Sequence, residues 1–165
     1  MAELTPEEVQ KLDFNMDIHA IMKVLPHRAP FLMIDRVTGT QNNETIHGYK
    51  LVTHTEPHFA GHFPGYPVFP GVLQIEALAQ LGGLFAVRVM GIPFEDTAIY
   101  LLGVDNVRFR KMVIPGDKLD LKAWLIKRRG NIWRMGGEAS VNGEVSCELE
   151  LMAFVGTREQ AAKRS

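Results

Sequence analysis

The longest apolar segment of the chain covers about residues 70–90, and its pattern predicts one buried helix. Aliphatic and aromatic residues lie on nearly all sides of this helix rather than along one stripe, so other elements must enclose it. Pro70 suits its first turn and Gly91 its end. The polar residues that interrupt the segment are Gln74, Glu76, Gln80 and Arg88. Their presence argues against a membrane span.

Segments with alternating or β-branched apolar residues predict a sheet around that helix. They lie at residues 31–40 and 44–53 and, as three further strands, within residues 118–156. Turns are predicted at residues 41–43, at residues 129–131 and at Asn142, where Asn-Gly accepts positive φ at both turn positions. Successive hairpins would make the sheet mainly antiparallel. A curved antiparallel sheet wrapped around one long central helix is an α+β fold.

The ends of the chain are predicted to be less ordered than its middle. Residues 1–14 and 157–165 are polar and lack a repeating apolar face. Asp17, in contrast, can cap a short helix over residues 17–25. A chain of 165 residues is expected to form a single domain, with a core spanning about residues 18–156.

Composition and charge are those of an ordinary globular protein. The formal net charge is −1, so nucleic acid is not indicated as a partner and any charged partner must meet a local patch. Cys147 is the only cysteine, which excludes an intrachain disulfide. The acidic first residues lack the basic and apolar parts of a secretory signal. A cytoplasmic location without membrane insertion is expected.

Two ionisable residues stand in surroundings that make them candidates for catalysis. His62 lies within residues 61–71, where six of eleven residues are Gly or Pro, and such a segment fixes a side chain. Glu76 lies among aliphatic residues of the predicted helix, where an unpaired carboxylate is costly. Gln80, four residues later, can hold that carboxyl in one orientation. Structural roles are the alternatives: His62 could simply hydrogen-bond within a turn, and Glu76 could lie on a solvent-exposed edge of the helix.

The start of the predicted helix is a third candidate feature for catalysis, in addition to His62 and Glu76. Its free N–H groups and dipole attract developing negative charge, and Gly71 offers an unobstructed N–H. A carbonyl bound there would be polarised, so that His62 could remove a proton from the adjacent carbon with Glu76 as its acid partner. This set of residues favours proton abstraction next to a thioester or ketone.

A metal site is the competing interpretation of the histidines. His54, His58 and His62 recur every four residues, with Glu56 between them, which on a helix would stack metal ligands. Glycine and proline residues within and after this segment argue against a continuous helix. No metal is therefore expected.

Three segments carry a resemblance to a known family: LPHRAPFLMIDRV, GHFPGYPVFPGVLQIEALAQLGG and GVDNVRFRKMVIPGDKL. They resemble the 3-hydroxyacyl-[acyl-carrier-protein] dehydratases of bacterial type II fatty acid synthesis, over roughly residues 18–156. The resemblance implies a hot-dog fold, which is the helix-in-sheet arrangement inferred above. It also implies dehydration of a (3R)-hydroxyacyl thioester of acyl carrier protein to the trans-2-enoyl thioester, without a metal or organic cofactor.

The resemblance assigns roles and an assembly. His62 matches the catalytic histidine of the family, Glu76 its catalytic carboxylate, and Gly71 the glycine whose amide contacts the thioester carbonyl. Glutamate at position 76 is typical of the branch that does not isomerise the double bond. Family members form dimers in which His62 is expected from one protomer and Glu76 from the other, and three dimers form a hexamer.

Other residues are candidates for a substrate tunnel and for carrier docking. Tyr100 resembles the tunnel-gating tyrosine of the family, although simple packing also explains it. Phe63 and Phe69 lie in the histidine loop and are candidate tunnel walls; Phe69 stands where the family often has methionine. A basic cluster on alternating strand positions, suited to an acidic carrier protein, is formed by Arg108, Arg110 and Lys111. A solvated strand face explains the two arginines equally well.

Two other functions stay open from the sequence. The same fold serves hot-dog thioesterases and enoyl hydratases that act on coenzyme A substrates, and fold alone does not separate them. A non-catalytic acyl-binding module would use the tunnel without needing Glu76. A panel of carrier-protein and coenzyme A substrates, together with a His62→Ala variant, distinguishes these functions.

Overall fold

A long helix lies against one curved sheet in the computed structural model, which describes residues 4–163. The strands are β1 (Asn15–Met16), β2 (Arg36–Gln41), β3 (Thr45–Leu51), β4 (Thr97–Phe109), β5 (Lys118–Arg129), β6 (Ile132–Val141) and β7 (Glu144–Thr157). The α-helices are α1 (Pro6–Gln10), α2 (Ile18–Ile21), α3 (Gly71–Met90) and α4 (Arg158–Ala162). One-turn 3-10 helices lie at Pro57–Ala60 and Phe94–Asp96.

Helix α3 is the central helix that the apolar segment predicted. Pro70 precedes it, and Gly91 ends it with a φ of 62°, in the left-handed region that favours glycine. Leu78 and Leu84 on α3 are fully buried, and strands β3 to β7 all pack against the helix. By length and composition alone α3 could cross a membrane, but most of it lies inside the sheet, as in the core helix of a soluble protein.

The seven strands form one sheet in the order β1-β2-β3-β5-β6-β7-β4, and every neighbouring pair is antiparallel. The predicted turns are confirmed: Asn42, Gly130 and Asn142 have φ values of 53°, 56° and 53°. Strand β4 follows α3 and lies at the edge of the sheet, where it pairs with β7 on one side. The predicted α+β architecture is therefore confirmed, with β4 as an edge strand.

The strand predicted at residues 31–40 is shorter than expected. It begins at Arg36, because the segment before it is bound to the side chain of Gln80 on α3. Gln80 Nε2 donates to the Phe31 carbonyl oxygen at 2.7 Å, and the Met33 N–H donates to Gln80 Oε1 at 2.8 Å. Backbone groups used in this way cannot join a strand ladder.

The ends of the chain contain more structure than their polar composition predicted. Thr5 and Thr157 each form a capping box at the start of a short helix, α1 and α4 respectively. Residues 1–3 and 164–165, which belong to the predicted loose ends, lie outside the described residues. Asp17 caps α2 as predicted, accepting a hydrogen bond from the Ala20 N–H at 2.9 Å.

The single cysteine belongs to the core. Cys147 lies on β7 and is fully buried. Burial raises the pKa of its thiol to about 11, and the neighbouring Glu148 carboxylate acts in the same direction. The thiol is therefore uncharged at neutral pH.

Candidate active site

His62 is held beside the start of α3 by Val68. The Nδ1 atom of His62 lies 2.7 Å from the Val68 carbonyl oxygen, and the Val68 N–H donates to the His62 carbonyl oxygen at 3.0 Å. Because a carbonyl oxygen can only accept, Nδ1 carries a proton, so Nε2 is the ring nitrogen that remains available for proton transfer. The ring of Phe63 stacks on the imidazole with 4.1 Å between centroids. His62 thus presents a fixed ring whose Nε2 can accept a proton.

A buried ion pair ties the loop before His62 to the sheet. Lys50 Nζ on β3 lies 3.0 Å from Glu56 Oε2, and both side chains are largely buried. Glu56 Oε1 also accepts a hydrogen bond from the Thr53 N–H at 2.9 Å. The 3-10 helix follows directly, and the His62 N–H donates to the His58 carbonyl oxygen at 2.9 Å. The end of β3 therefore sets the position of His62.

His58 packs against phenylalanine rings within the segment that carries His62. Its ring lies 4.3 Å from that of Phe59 and 5.2 Å from that of Phe69, centroid to centroid. His58 Nε2 is buried without a hydrogen-bond partner among residues 4–163. Burial lowers the pKa of His58, and the nearby Glu56 carboxylate only partly opposes this. His58 is therefore a neutral packing residue.

In the part of the chain that the structure describes, no group of three or more His, Cys, Asp or Glu side chains could hold a metal ion.

A cavity of about 360 Å³ opens beside His62 and the first turn of α3. Its lining includes His62, Phe69, Gly71, Gln74, Phe109 and Met112. The first backbone bonds of α3 are made by the N–H groups of Leu73 and Gln74, which both donate to the Pro70 carbonyl oxygen. The N–H groups of Gly71 and Val72 have no acceptor among the described residues. The cavity therefore combines a possible base with two free donors at a helix N-terminus.

Gly71 is required by its neighbour Phe109. A Cβ atom placed on Gly71 would lie 2.7 Å from Phe109 Cε1, well inside contact distance. Only glycine therefore lets this ring lie across the helix start and form one wall of the cavity. The sequence analysis did not single out Phe109, because nothing local indicates that the end of β4 meets the start of α3.

The side chain of Gln80 sets the orientation of Glu76. Gln80 Nε2 donates to Glu76 Oε1 at 2.8 Å, so Gln80 fixes the carboxyl while it also binds Phe31 and Met33. Gln80 is 2% exposed, whereas the Glu76 side chain is 21% exposed. The carboxyl is thus oriented by a buried amide and still reaches solvent.

His27 lies beside the Glu76 carboxyl, a contact that was not predicted from the sequence. Its Nε2 lies 3.7 Å from Glu76 Oε1, and its ring stacks on that of Phe31. Burial lowers the pKa of His27, while the Glu76 carboxylate acts in the opposite direction and Arg28 adds to the lowering. His27 stands in one of the three segments that carry the family resemblance, which was the available signal.

The predicted site residues do not all line one cavity. Glu76 is not among the described residues that line the His62 cavity. It shares a helix face with Val72, Ile75 and Ala79, none of which is buried, and Val72 is 68% exposed. This face of α3 is the one that the sheet leaves uncovered.

The tunnel candidates occupy three different positions. Phe69 lines the cavity and is 1% exposed, and Phe63 lies on the His62 ring. Tyr100 lies on the edge strand β4, exposed to solvent, with its ring stacked on that of Phe154. Tyr100 is not among the described residues that line the cavity.

The basic cluster is partly neutralised. Arg110 pairs with Glu148, and Lys111 Nζ lies 2.5 Å from Glu144 Oε2. Arg108 is exposed and donates only to the carbonyl oxygen next to it in the chain. The expected alternation along a strand is wrong for Arg110 and Lys111, because β4 ends at Phe109.

Solved structures place the fold in the hot-dog class. The dehydratase heterocomplex ApeI:P from Xenorhabdus doucetiae superposes with a TM-score of 0.73 at 22% identity, covering 87% of this chain and 95% of that one. A mutant thioesterase from Pseudomonas aeruginosa gives a TM-score of 0.56 at 14% identity, covering 74% and 81%. By its fold, this protein therefore belongs to the hot-dog class.

Sequence comparison identifies the family within that class. Residues 25–150 match the FabA-like domain. The 3-hydroxyacyl-[acyl-carrier-protein] dehydratase FabZ of Verminephrobacter eiseniae is 54% identical over 83% of this chain and 92% of its own. The FabZ protein of Sorangium cellulosum is 46% identical over 93% and 99%. The chain belongs to the FabZ-type dehydratases, which are hydro-lyases.

Proposed function

We propose that this protein removes water from (3R)-hydroxyacyl thioesters of acyl carrier protein, giving trans-2-enoyl thioesters for cytoplasmic type II fatty acid synthesis. The observation that carries the proposal is the cavity lined both by His62, whose Nδ1 is engaged by the Val68 carbonyl oxygen, and by the start of α3 with its free N–H groups. The names of the FabZ relatives support the substrate class and the carrier protein.

His62 and Glu76 divide the acid and base work. The thioester carbonyl oxygen binds at the Gly71 N–H, and His62 Nε2 takes a proton from the carbon next to the carbonyl. The electrons of that C–H bond form the carbon–carbon double bond as the bond to the 3-hydroxyl breaks. Glu76 supplies the proton with which the hydroxyl leaves as water. The reaction is redox-neutral, so it needs no oxidant or reductant, and the family resemblance implies no cofactor.

The complete site forms between two copies of the chain. Support comes from the uncovered face of α3, where Glu76 stands between apolar residues. Further support comes from the edge strand β4, where Tyr100, Leu101 and Leu102 are exposed in succession. A second copy packed on these surfaces would bring its own His62 cavity to Glu76. Three such dimers form the hexamer that the family resemblance implies.

Carrier docking and the acyl tunnel belong to the same proposal. Lys111 stands at the rim of the cavity, and with Arg108 and Arg110 it would attract an acidic carrier by long-range steering. Phe63 and Phe69 would contact the acyl chain, and Tyr100 of β4 would gate the far end of the tunnel.

The decisive experiment is conversion of (3R)-hydroxyacyl carrier protein by the purified protein, followed as formation of the enoyl thioester by mass spectrometry. His62→Ala is expected to lose turnover. His54→Ala, which changes an exposed histidine eight positions earlier in the chain, serves as the matched control and is expected to keep it. The same assay with coenzyme A thioesters tests the alternative substrate class.

The outcomes are distinct. Turnover that is lost only in His62→Ala supports dehydration by this site. Hydrolysis of the thioester, or a preference for coenzyme A, would replace the proposal with a thioesterase or hydratase function. Acyl binding without any turnover, unchanged in His62→Ala, would indicate a binding module.

A further inference from the structure

A buried amide faces the His62 cavity with its nitrogen unused. Gln74 on α3 is 2% exposed and lines the cavity. Its Oε1 accepts a hydrogen bond from Ser146 Oγ at 2.9 Å. Its Nε2 has no hydrogen-bond partner in the part of the chain that the structure describes. Nε2 is not among the fully buried side-chain atoms that lack a partner in the described residues, so it is open to the cavity and available to a ligand there.

Ser146 determines which end of the amide is free. Ser146 is fully buried on β7, and its single hydroxyl hydrogen is directed to Gln74 Oε1 at 2.9 Å, the nearer of two acceptors; the Ala139 carbonyl oxygen lies 3.1 Å from the same hydroxyl. Because the amide oxygen is engaged by this hydroxyl, the NH₂ group of Gln74 is the end that remains for the cavity.

Gln74 and Gly71 both border the His62 cavity. They stand three positions apart on α3, and residues at this spacing lie on one helix face. Helical side chains lean towards the N-terminus, so the Gln74 amide extends towards the free N–H groups of the first turn. Both residues line the cavity that contains His62. Two donors therefore border the cavity that also contains the proposed base.

We propose that Gln74 Nε2 donates a hydrogen bond to the thioester carbonyl oxygen of the substrate, as a second donor beside the Gly71 N–H. The inference rests on the proposed dehydration. As His62 takes the proton, negative charge moves onto the carbonyl oxygen, and a fixed donor stabilises this charge more than it stabilises the neutral carbonyl. Gln74 is then a catalytic residue, and Ser146 is the residue that positions it.

Gln74→Met is the informative variant because methionine keeps the volume and removes the donor. The fold is expected to survive, since the Ser146 hydroxyl can turn to the Ala139 carbonyl oxygen. Loss of one such donor lowers kcat by about 10²–10³-fold, and that loss is the expected result. Gln41→Met, which makes the same change at an exposed position at the end of β2, is the control and should match the wild type.

Infrared spectra separate a lost donor from a merely disturbed cavity. With the trans-2-enoyl thioester carrying a labelled carbonyl as the bound probe, the C=O stretch should move to higher frequency in Gln74→Met than in the wild type. Gln74→Glu, assayed at mildly alkaline pH where a carboxylate can only accept, should be as impaired as Gln74→Met.

The wild-type rate tests the proposed function, whereas the ratio of variant to wild-type rates tests Gln74. Wild-type activity in Gln74→Met would overturn the inference and leave dehydration standing. So would an activity loss without a carbonyl shift, or an active Gln74→Glu, which would indicate that the substrate offers a donor at this point.

Discussion

The side-chain amide of Gln80 orients the Glu76 carboxyl. A substitution that keeps this hydrogen bond but removes the acid can therefore test the chemical role of Glu76 without disturbing the structure. In Glu76→Gln the new side chain still offers an oxygen to Gln80 Nε2, so the contact of 2.8 Å can persist while the acid is lost. We expect kcat to fall by about 10²–10⁴-fold, the usual contribution of a general acid, with the melting temperature unchanged. Glu95→Gln, at an exposed position, is the control. Full activity of Glu76→Gln would remove Glu76 from the mechanism.

The lowered pKa of His58 predicts that the folded protein loses stability in acid. Because burial lowers its pKa from 6.5, the unfolded chain binds a proton at this residue more readily than the folded protein does. Stability is thus fully present above pH 6.5 and is lost as the pH falls towards the folded-state pKa. His27 and His47, whose pKa values burial also lowers, act in the same direction.

The variant His58→Phe tests this effect. Phenylalanine keeps the ring contacts with Phe59 and Phe69 and removes the unpartnered Nε2. Removing such a group gains on the order of 1 kcal/mol, or about 2–4 °C in melting temperature at neutral pH. The decline of melting temperature in acid should also become shallower. His54→Phe at an exposed position controls for the change of residue, and an unchanged acid decline in His58→Phe would contradict the prediction.

The residues predicted from sequence were those whose surroundings along the chain are unusual. His62 stands among Gly and Pro and Glu76 among aliphatic residues, so local sequence was enough to select them. Gln74, Phe109 and His27 were not predicted as site residues, because the role of each depends on a partner that is distant in the sequence. Ser146, which binds Gln74, lies 72 positions away. No local pattern encodes such a contact.

At the scale of elements, the link between β3 and the histidine loop is a buried charge pair. Glu56→Gln would keep the bond to the Thr53 N–H but leave the Lys50 ammonium buried without a carboxylate. Removal of one partner from such a pair costs about 3 kcal/mol, so the melting temperature should drop by roughly 6–12 °C. Thermal unfolding followed by circular dichroism measures this.

The double variant Lys50→Met/Glu56→Gln is the matched control for this prediction. It removes the orphaned charge, and most of the lost stability should return. Equal melting temperatures for Glu56→Gln and the wild type would show that the pair contributes nothing to the loop.

Elements with local signals were predicted, and those with distant causes were not. Helix α3 and its glycine end follow from composition and spacing, and the turn at Asn142 follows from the Asn-Gly pair. The early start predicted for β2 was wrong because the side chain of Gln80 occupies the backbone of Phe31 and Met33. The place of β4 at the sheet edge likewise depends on long-range pairing with β7.

At the scale of the whole molecule, the proposed sharing of His62 and Glu76 between two copies predicts complementation between subunits. His62→Ala and Glu76→Ala proteins, each inactive alone, should regain activity when their subunits are mixed. Random exchange makes half of the dimers mixed, each with one intact site, so about a quarter of the wild-type activity is expected. Absence of recovery, after exchange has been demonstrated by mass spectrometry of differently tagged subunits, would count against a shared site.

The reactivity of the buried Cys147 thiol can be used to measure how often the fold opens. As the only cysteine, with a pKa of about 11, it can react with an alkylating reagent only when β7 separates from the core and a thiolate forms. The labelling rate therefore measures how often the sheet opens, without an engineered probe. A ligand that binds the closed protein should slow labelling in proportion to its occupancy, which gives an affinity for substrate analogues that does not depend on turnover.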